Sequence, residues 1–121
     1  MKVPRQEIRR SHRIAVKLPA RFHNIRAKIV MPEPCEAIVR DIGYHGMMLQ
    51  PDKELALHTE IKLEFDLPLV NYRAADVYAK VVSRKGGDAD GCVGVEFTSV
   101  PPEPNTKIQL FVQLLIFTNL A

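Results

Sequence analysis

Short runs of alternating apolar and polar residues recur along this chain, and a period of two is the mark of a strand with one buried face. Ile14, Val16, Leu18, Ala20 and Phe22 alternate with Arg13, Ala15, Lys17, Pro19 and Arg21. Pro19 cannot donate to a ladder, so it is expected at an edge or a bulge. Cys35, Ala37 and Val39 alternate with Glu36, Ile38 and Arg40 after a loop broken by Pro32 and Pro34. Met47 to Gln50 reads as a short strand ended by Pro51-Asp52, and Ile61, Leu63, Phe65 and Leu67 mark another. A long strand between Tyr72 and Lys85 is expected to turn Ala75, Val77, Ala79 and Val81 to one side. Gly86-Gly87-Asp88 and Asp90-Gly91 then reverse the chain into Cys92 to Thr98, as in a hairpin.

About six strands with turns between them, and no helix between consecutive strands, exclude a parallel α/β sheet and predict an antiparallel barrel or sandwich. The chain then changes period. Pro101, Pro102 and Pro104 stop the last strand, Thr106 and Gln109 have capping-box spacing, and Ile108, Phe111, Val112 and Leu115 form one helical stripe. A C-terminal helix lying on the sheet follows. Leu110, Leu114 and Phe117 make a second stripe, suited either to further core packing or to a homodimer or partner contact.

Charge is unevenly spread. Residues 1–30 carry nine Lys or Arg against Glu7 alone, a balance of +8, while the rest of the 121 residues balance at −5 to give the net +3. A basic head on a mildly acidic body suits an anionic partner, although a solvated tail has the same composition. Lys2, Arg5, Glu7, Arg9 and Arg10 interrupt the first residues, so no signal peptide is expected. The mostly apolar stretch Leu110 to Phe117 is too short to span a bilayer, and a soluble, cytoplasmic protein is expected. Cys35 and Cys92 have neither metal-ligand nor disulfide-framework spacing and read as small apolar strand residues.

Catalysis finds little support. His12, His23, His45 and His58 form no metal-binding pair, and Ser11, Ser83 and Ser99 lack the glycines of a nucleophile elbow. The expectation is a protein that is not an enzyme and needs neither metal nor cofactor.

Two clusters speak of binding instead. Arg9-Arg10-Ser11-His12-Arg13 places three guanidiniums just before the first strand. The planar fork of arginine gives paired hydrogen bonds to phosphate or to the O6 and N7 edge of guanine, and stacks on purines. Asp41-Ile42-Gly43-Tyr44-His45-Gly46 ends the second strand. On its own it is an ordinary turn in which Asp41 bonds an amide and the glycines take positive φ. Beside arginines, its amides suit an anion and its carboxylate can accept from guanine N1–H and the amino group.

These residues resemble a known family. Arg9-x-x-x-Arg13 before a strand and Asp41-x-Gly43-x-x-Gly46 after the next look like the RxxxR and (D/N)xSxxG motifs of the PilZ domain. Gly91-Cys92-Val93-Gly94-Val95-Glu96-Phe97 is similar to its Gly-rich late strand. The resemblance spans roughly residues 8 to 118. It implies an all-β fold, a six-stranded antiparallel β-barrel with a C-terminal helix over residues 9–121; the sequence itself marks 1–8 as a flexible basic segment before it. It also implies a non-catalytic receptor for the bacterial second messenger cyclic di-GMP. Carried over by position, Arg9 and Arg13 grip phosphate and guanine, Arg10 stacks or pairs beside them, Asp41 holds a guanine edge, and Gly46 allows close approach of the backbone. Arg84 resembles a barrel-face residue that contacts ligand in some members. Gly43 stands where the family has Ser, which removes one hydroxyl contact.

The expected mechanism is that the ligand neutralises the Arg-rich segment and orders it over the barrel, creating a surface for a protein effector. An adaptor that has lost nucleotide binding and acts by protein contact is the alternative, favoured by Gly43. A binder of single-stranded nucleic acid is a third reading, disfavoured because Phe22, Phe65 and Phe97 fall on apolar faces, so no nucleic-acid polymer is expected as a partner. No motif marks the process controlled, whether motility, secretion, adhesion or polysaccharide synthesis.

Overall fold

The computed structural model describes residues 13–84 and 91–120. Arg9, Arg10, the segment 1–8 and the glycines of the reversal at 86–90 lie outside the described residues. Among the described residues there are seven strands: β1 (Ile14–Arg26), β2 (Ile29–Val30), β3 (Cys35–Ile42), β4 (Gly46–Pro51), β5 (Glu60–Leu67), β6 (Tyr72–Arg84) and β7 (Val93–Ser99). A 3₁₀ turn at Pro68–Val70 links β5 to β6, and helix α1 (Pro102–Leu120) ends the chain.

All pairings are antiparallel, in the order β2-β1-β3-β4-β7-β6-β5. β1 also pairs with β5, which closes six strands into a barrel and leaves β2 as a two-residue extension. The length of β1 makes closure feasible, because its first part from Ile14 to Phe22 pairs with β3 while Ala20 to Ile25 pairs with β5. Pro19 lies just before the β5 pairing begins, where β1 has a ladder partner on the β3 side alone. Its missing N–H therefore costs no bond on the open side.

Period two delivers the core as the sequence predicts over most of the barrel. Phe22, Val39, Met47, Leu49, Ile61, Leu63, Phe65, Val77, Val81 and Val95 are buried inside, and Ile108, Phe111 and Val112 of α1 join them. The helix thus covers one opening of the barrel with the stripe the sequence marks. Leu115 is half-buried against the same cluster, while Phe117 on the second stripe is 76% exposed.

Three local readings are corrected. The first concerns β6, where Ala74 rather than Ala75 shares the core with Val77. Leu63 faces Val77 but Phe65 faces Ala74, so β6 carries an extra residue there, and Asp76 takes a left-handed φ of 58°. A bulge of this kind breaks the alternation that the sequence reading extrapolated. The exposed Asp76 carboxylate pairs with Lys62 at 3.1 Å.

The second correction is the helix start. The helix begins at Pro102, not at a capping box from Thr106. First-turn amides need no partner inside the helix, so Pro102 and Pro104 are compatible with its opening turn. Asn105 N–H closes that turn on the Pro101 carbonyl at 2.9 Å. The Thr106 hydroxyl bonds back to the Pro102 carbonyl at 3.0 Å, and Gln109 is engaged elsewhere.

The third is the β1–β2 hairpin, which the sequence reading passes over as loop. Ala27 and Lys28 both adopt positive φ, 51° and 64°, the geometry of a two-residue turn normally signalled by Asn-Gly. That signal is absent.

Cys35 and Cys92 are buried free thiols. Burial pushes the Cys35 thiol above its ordinary pKa, against the opposing pull of the Lys53 ammonium. Among the described residues, no helix is long and apolar enough to cross a membrane and no group of three or more His, Cys, Asp or Glu could hold a metal ion.

Candidate ligand-binding site

Strict alternation would send Asp41 into the core, two residues after buried Val39. It does not go there. Val39 faces Leu49 whereas Asp41 faces Met48, so Arg40 is an extra residue on β3 and the strand rotates to turn Asp41 outward. Its Oδ1 then accepts the Met48 backbone N–H at 3.0 Å.

On the other side of Asp41 lies β1, with Ala15 as its direct partner. Arg13, two residues earlier and so on the same outer face, donates from Nη1 to Asp41 Oδ1 at 3.1 Å. The guanidinium and carboxylate side chains are 37% and 22% exposed. An ion pair at this exposure adds little to stability. Its consequence is placement: a fork of donors and an acceptor share one patch of barrel wall, with Asp41 partly satisfied already.

The turn beyond Asp41 is held from three sides. Gly43 N–H donates to the Gly46 carbonyl at 2.9 Å, and the His45 carbonyl accepts from Phe97 N–H of β7 at 2.8 Å. The Tyr44 carbonyl accepts from Gln109 Nε2 of α1 at 3.2 Å. Helix and sheet therefore fix the loop that carries the glycines. The reason for Gly46 differs from the sequence expectation. Among the described glycines only Gly91 has a positive φ, 87°, so neither Gly43 nor Gly46 is needed for a left-handed backbone. At Gly46 the need is space, since a Cβ would lie 2.3 Å from the Val95 carbonyl oxygen.

Arg84, at the end of β6, donates from Nη2 to Glu54 Oε1 at 2.5 Å. Its recorded partner thus belongs to the β4–β5 connection and not to the Arg13–Asp41 patch. The sequence reading missed two contributors: the Met48 amide, which orients Asp41, and Gln109, assigned above to a helix cap. Met48 is signalled only by a bulge that has no marker residue, and Gln109 only by tertiary packing.

A profile of the PilZ domain matches residues 7–114. The chain belongs to the PilZ family. PilZ domains as a family bind cyclic di-GMP. Among solved structures, the crystal structure of the PilZ domain of CeSA from a cellulose-synthesizing bacterium is similar, with 17% sequence identity, a TM-score of 0.59, and coverage of 87% of this chain and 98% of that one. At that identity the likeness is one of fold, and it agrees with the closed barrel and single C-terminal helix. No curated protein sequence matches the chain. Arg13 and Asp41 meet on the outer wall, Gly43 and Gly46 of the following turn are buried, and Arg9 and Arg10 of the first motif lie outside the described residues.

Proposed function

We propose that this PilZ chain is a non-catalytic receptor for cyclic di-GMP. The observation that carries the reading is the meeting of Arg13 and Asp41 at 3.1 Å on the outer barrel wall. Guanine offers an acceptor edge at O6 and N7 and a donor edge at N1 and the amino group. Arg13 suits the first or a phosphate, and the open valences of the Asp41 carboxylate suit the second.

Arg9 and Arg10 complete the grip by motif position, and a dianionic ligand neutralises part of the +8 balance of residues 1–30. The Arg-rich segment then packs over the bound ligand and the new surface is what a protein effector reads. The ligand drives that change only as far as it prefers the closed arrangement. Arg84 joins the ligand only by leaving Glu54.

Gly43 supports a second reading, an adaptor that works by protein contact without nucleotide. A hydroxyl contact to phosphate is worth about 1.5 to 3 kcal/mol, so its absence weakens binding by roughly ten- to a hundredfold.

Calorimetric titration of the full chain with cyclic di-GMP, with GTP as control, separates the two. Saturable binding of the cyclic dinucleotide alone supports the receptor. No binding at all leaves the adaptor.

A further inference from the structure

The outer face does not stop at Asp41. Asp41 lies opposite Met48, Met48 opposite Gly94, and Gly94 opposite Ser83, so these four side-chain positions share one row across β3, β4, β7 and β6. Ser83 reaches that row by the same device as Asp41. Val81 faces Val95 but Ser83 faces Gly94, so Val82 is an extra residue and rotates Ser83 outward, two positions after the buried Val81. Two separate bulges therefore aim a polar side chain into one row.

Between them the wall is flat and uncharged. Gly94 has no side chain and is itself buried, with Ser83 leaning over it: a Cβ on Gly94 would lie 2.4 Å from the Ser83 oxygen. Met48 is the one large side chain in the row. The adjoining row, Gly46, Glu96, Lys80 and Glu60, is charged.

Resting on the cyclic di-GMP reading above, we infer that one guanylate half of the ligand lies along this row, with Ser83 and Met48 as specificity-determining residues. Its base edge meets Asp41, its base face covers Met48, and its ribose-phosphate meets the Ser83 hydroxyl. Neighbouring strands are about 4.8 Å apart, which sets Asp41 and Ser83 about 14 Å apart. A purine ring with its sugar-phosphate and a hydrogen bond at each end fills such a span. A methionine thioether is well suited to the face or edge of an aromatic ring. Ser83 also supplies a hydroxyl to a site whose motif serine is replaced by Gly43, though from the opposite end.

The test is titration calorimetry of the full chain with cyclic di-GMP, comparing Ser83→Ala, Met48→Glu, Met48→Leu and, from the charged row, Lys80→Ala. Ser83→Ala is expected to weaken binding by about three- to tenfold and Met48→Glu by about thirtyfold or more. Met48→Leu keeps an apolar face and stays within about threefold, and Lys80→Ala within about twofold. Thermal melts of each variant check folding, and Ser83→Ala with Met48→Leu decide the matter if Met48→Glu unfolds. Unchanged affinity in Ser83→Ala and Met48→Glu, with binding still lost in Arg13→Ala, overturns the row as ligand floor and leaves the receptor standing. Absence of binding by the unaltered chain overturns both.

Discussion

Arg13 and Asp41 are separated by 28 positions in the chain, yet Nη1 and Oδ1 lie 3.1 Å apart on the outside of the barrel. The contact depends on β1 pairing with β3, which sets Ala15 opposite Asp41, and on the extra residue Arg40, which turns Asp41 away from the core. A ligand that uses both groups meets them already assembled, so less ordering entropy opposes binding.

Asp41→Asn separates the two duties of that carboxylate. An amide oxygen still accepts the Met48 N–H, so the melting temperature is expected to stay close to that of the unaltered chain. The charged acceptor proposed for guanine and the partner of Arg13 are lost, and cyclic di-GMP affinity is expected to fall by roughly ten- to a hundredfold. Asp41→Ala is expected to lose in addition about 1 kcal/mol of stability, read from a urea transition.

Gly43→Ser restores the hydroxyl of the family pattern. Gly43 does not use a left-handed φ, so no left-handed backbone opposes a side chain there. Affinity for cyclic di-GMP is expected to rise by roughly tenfold, measured by calorimetry. A fall with unchanged stability contradicts the placement of this turn beside the ligand.

Gly46→Ala is expected to act on the fold. The added Cβ would sit 2.3 Å from the Val95 carbonyl oxygen, and relieving that overlap forces β4 and β7 apart. A loss of about 1 to 3 kcal/mol in a urea transition is expected. An unchanged transition midpoint argues against so close a pairing.

Much of this barrel is legible in the sequence, and the exceptions have one cause. The alternations from Leu18 to Phe22 and from Ile61 to Leu67 each give the core face directly, because every second residue keeps its side as long as the register holds. Val16-Lys17, Arg40, Ala75-Asp76 and Val82 each break it, and none carries a glycine or proline to announce the bulge. Hence Ala75 is misassigned to the core and the outward turns of Asp41 and Ser83 are invisible. The motif residues themselves are readable because their chemistry is carried by residue type and spacing. Gln109 is not, because its bond to the Tyr44 carbonyl spans 65 residues and local spacing suggests a helix cap instead.

Cys35 gives a pH dependence with a definite sign. Burial raises its thiol pKa in the folded chain, so the folded state holds this proton more tightly than the unfolded one. The resulting stability is fully present below the ordinary thiol pKa of the unfolded chain, and is lost as pH rises from there through the raised folded value. From about pH 8 upward, urea midpoints of the unaltered chain are expected to fall more steeply than those of Cys35→Ala. Parallel curves contradict a thiol perturbed by burial.

The backbone amide of Met48 is the most direct reporter, since it donates to the Asp41 carboxylate on which the proposed site is built. In ¹H–¹⁵N correlation spectra of the full chain titrated with cyclic di-GMP, the resonances of Met48 and of Gly43 to Gly46 are expected to shift saturably, and the same titration of Arg13→Ala is expected to leave them in place. Spectra that do not change at saturating dinucleotide, or shifts confined to the β1–β2 hairpin at the far mouth of the barrel, contradict binding at the Arg13–Asp41 wall.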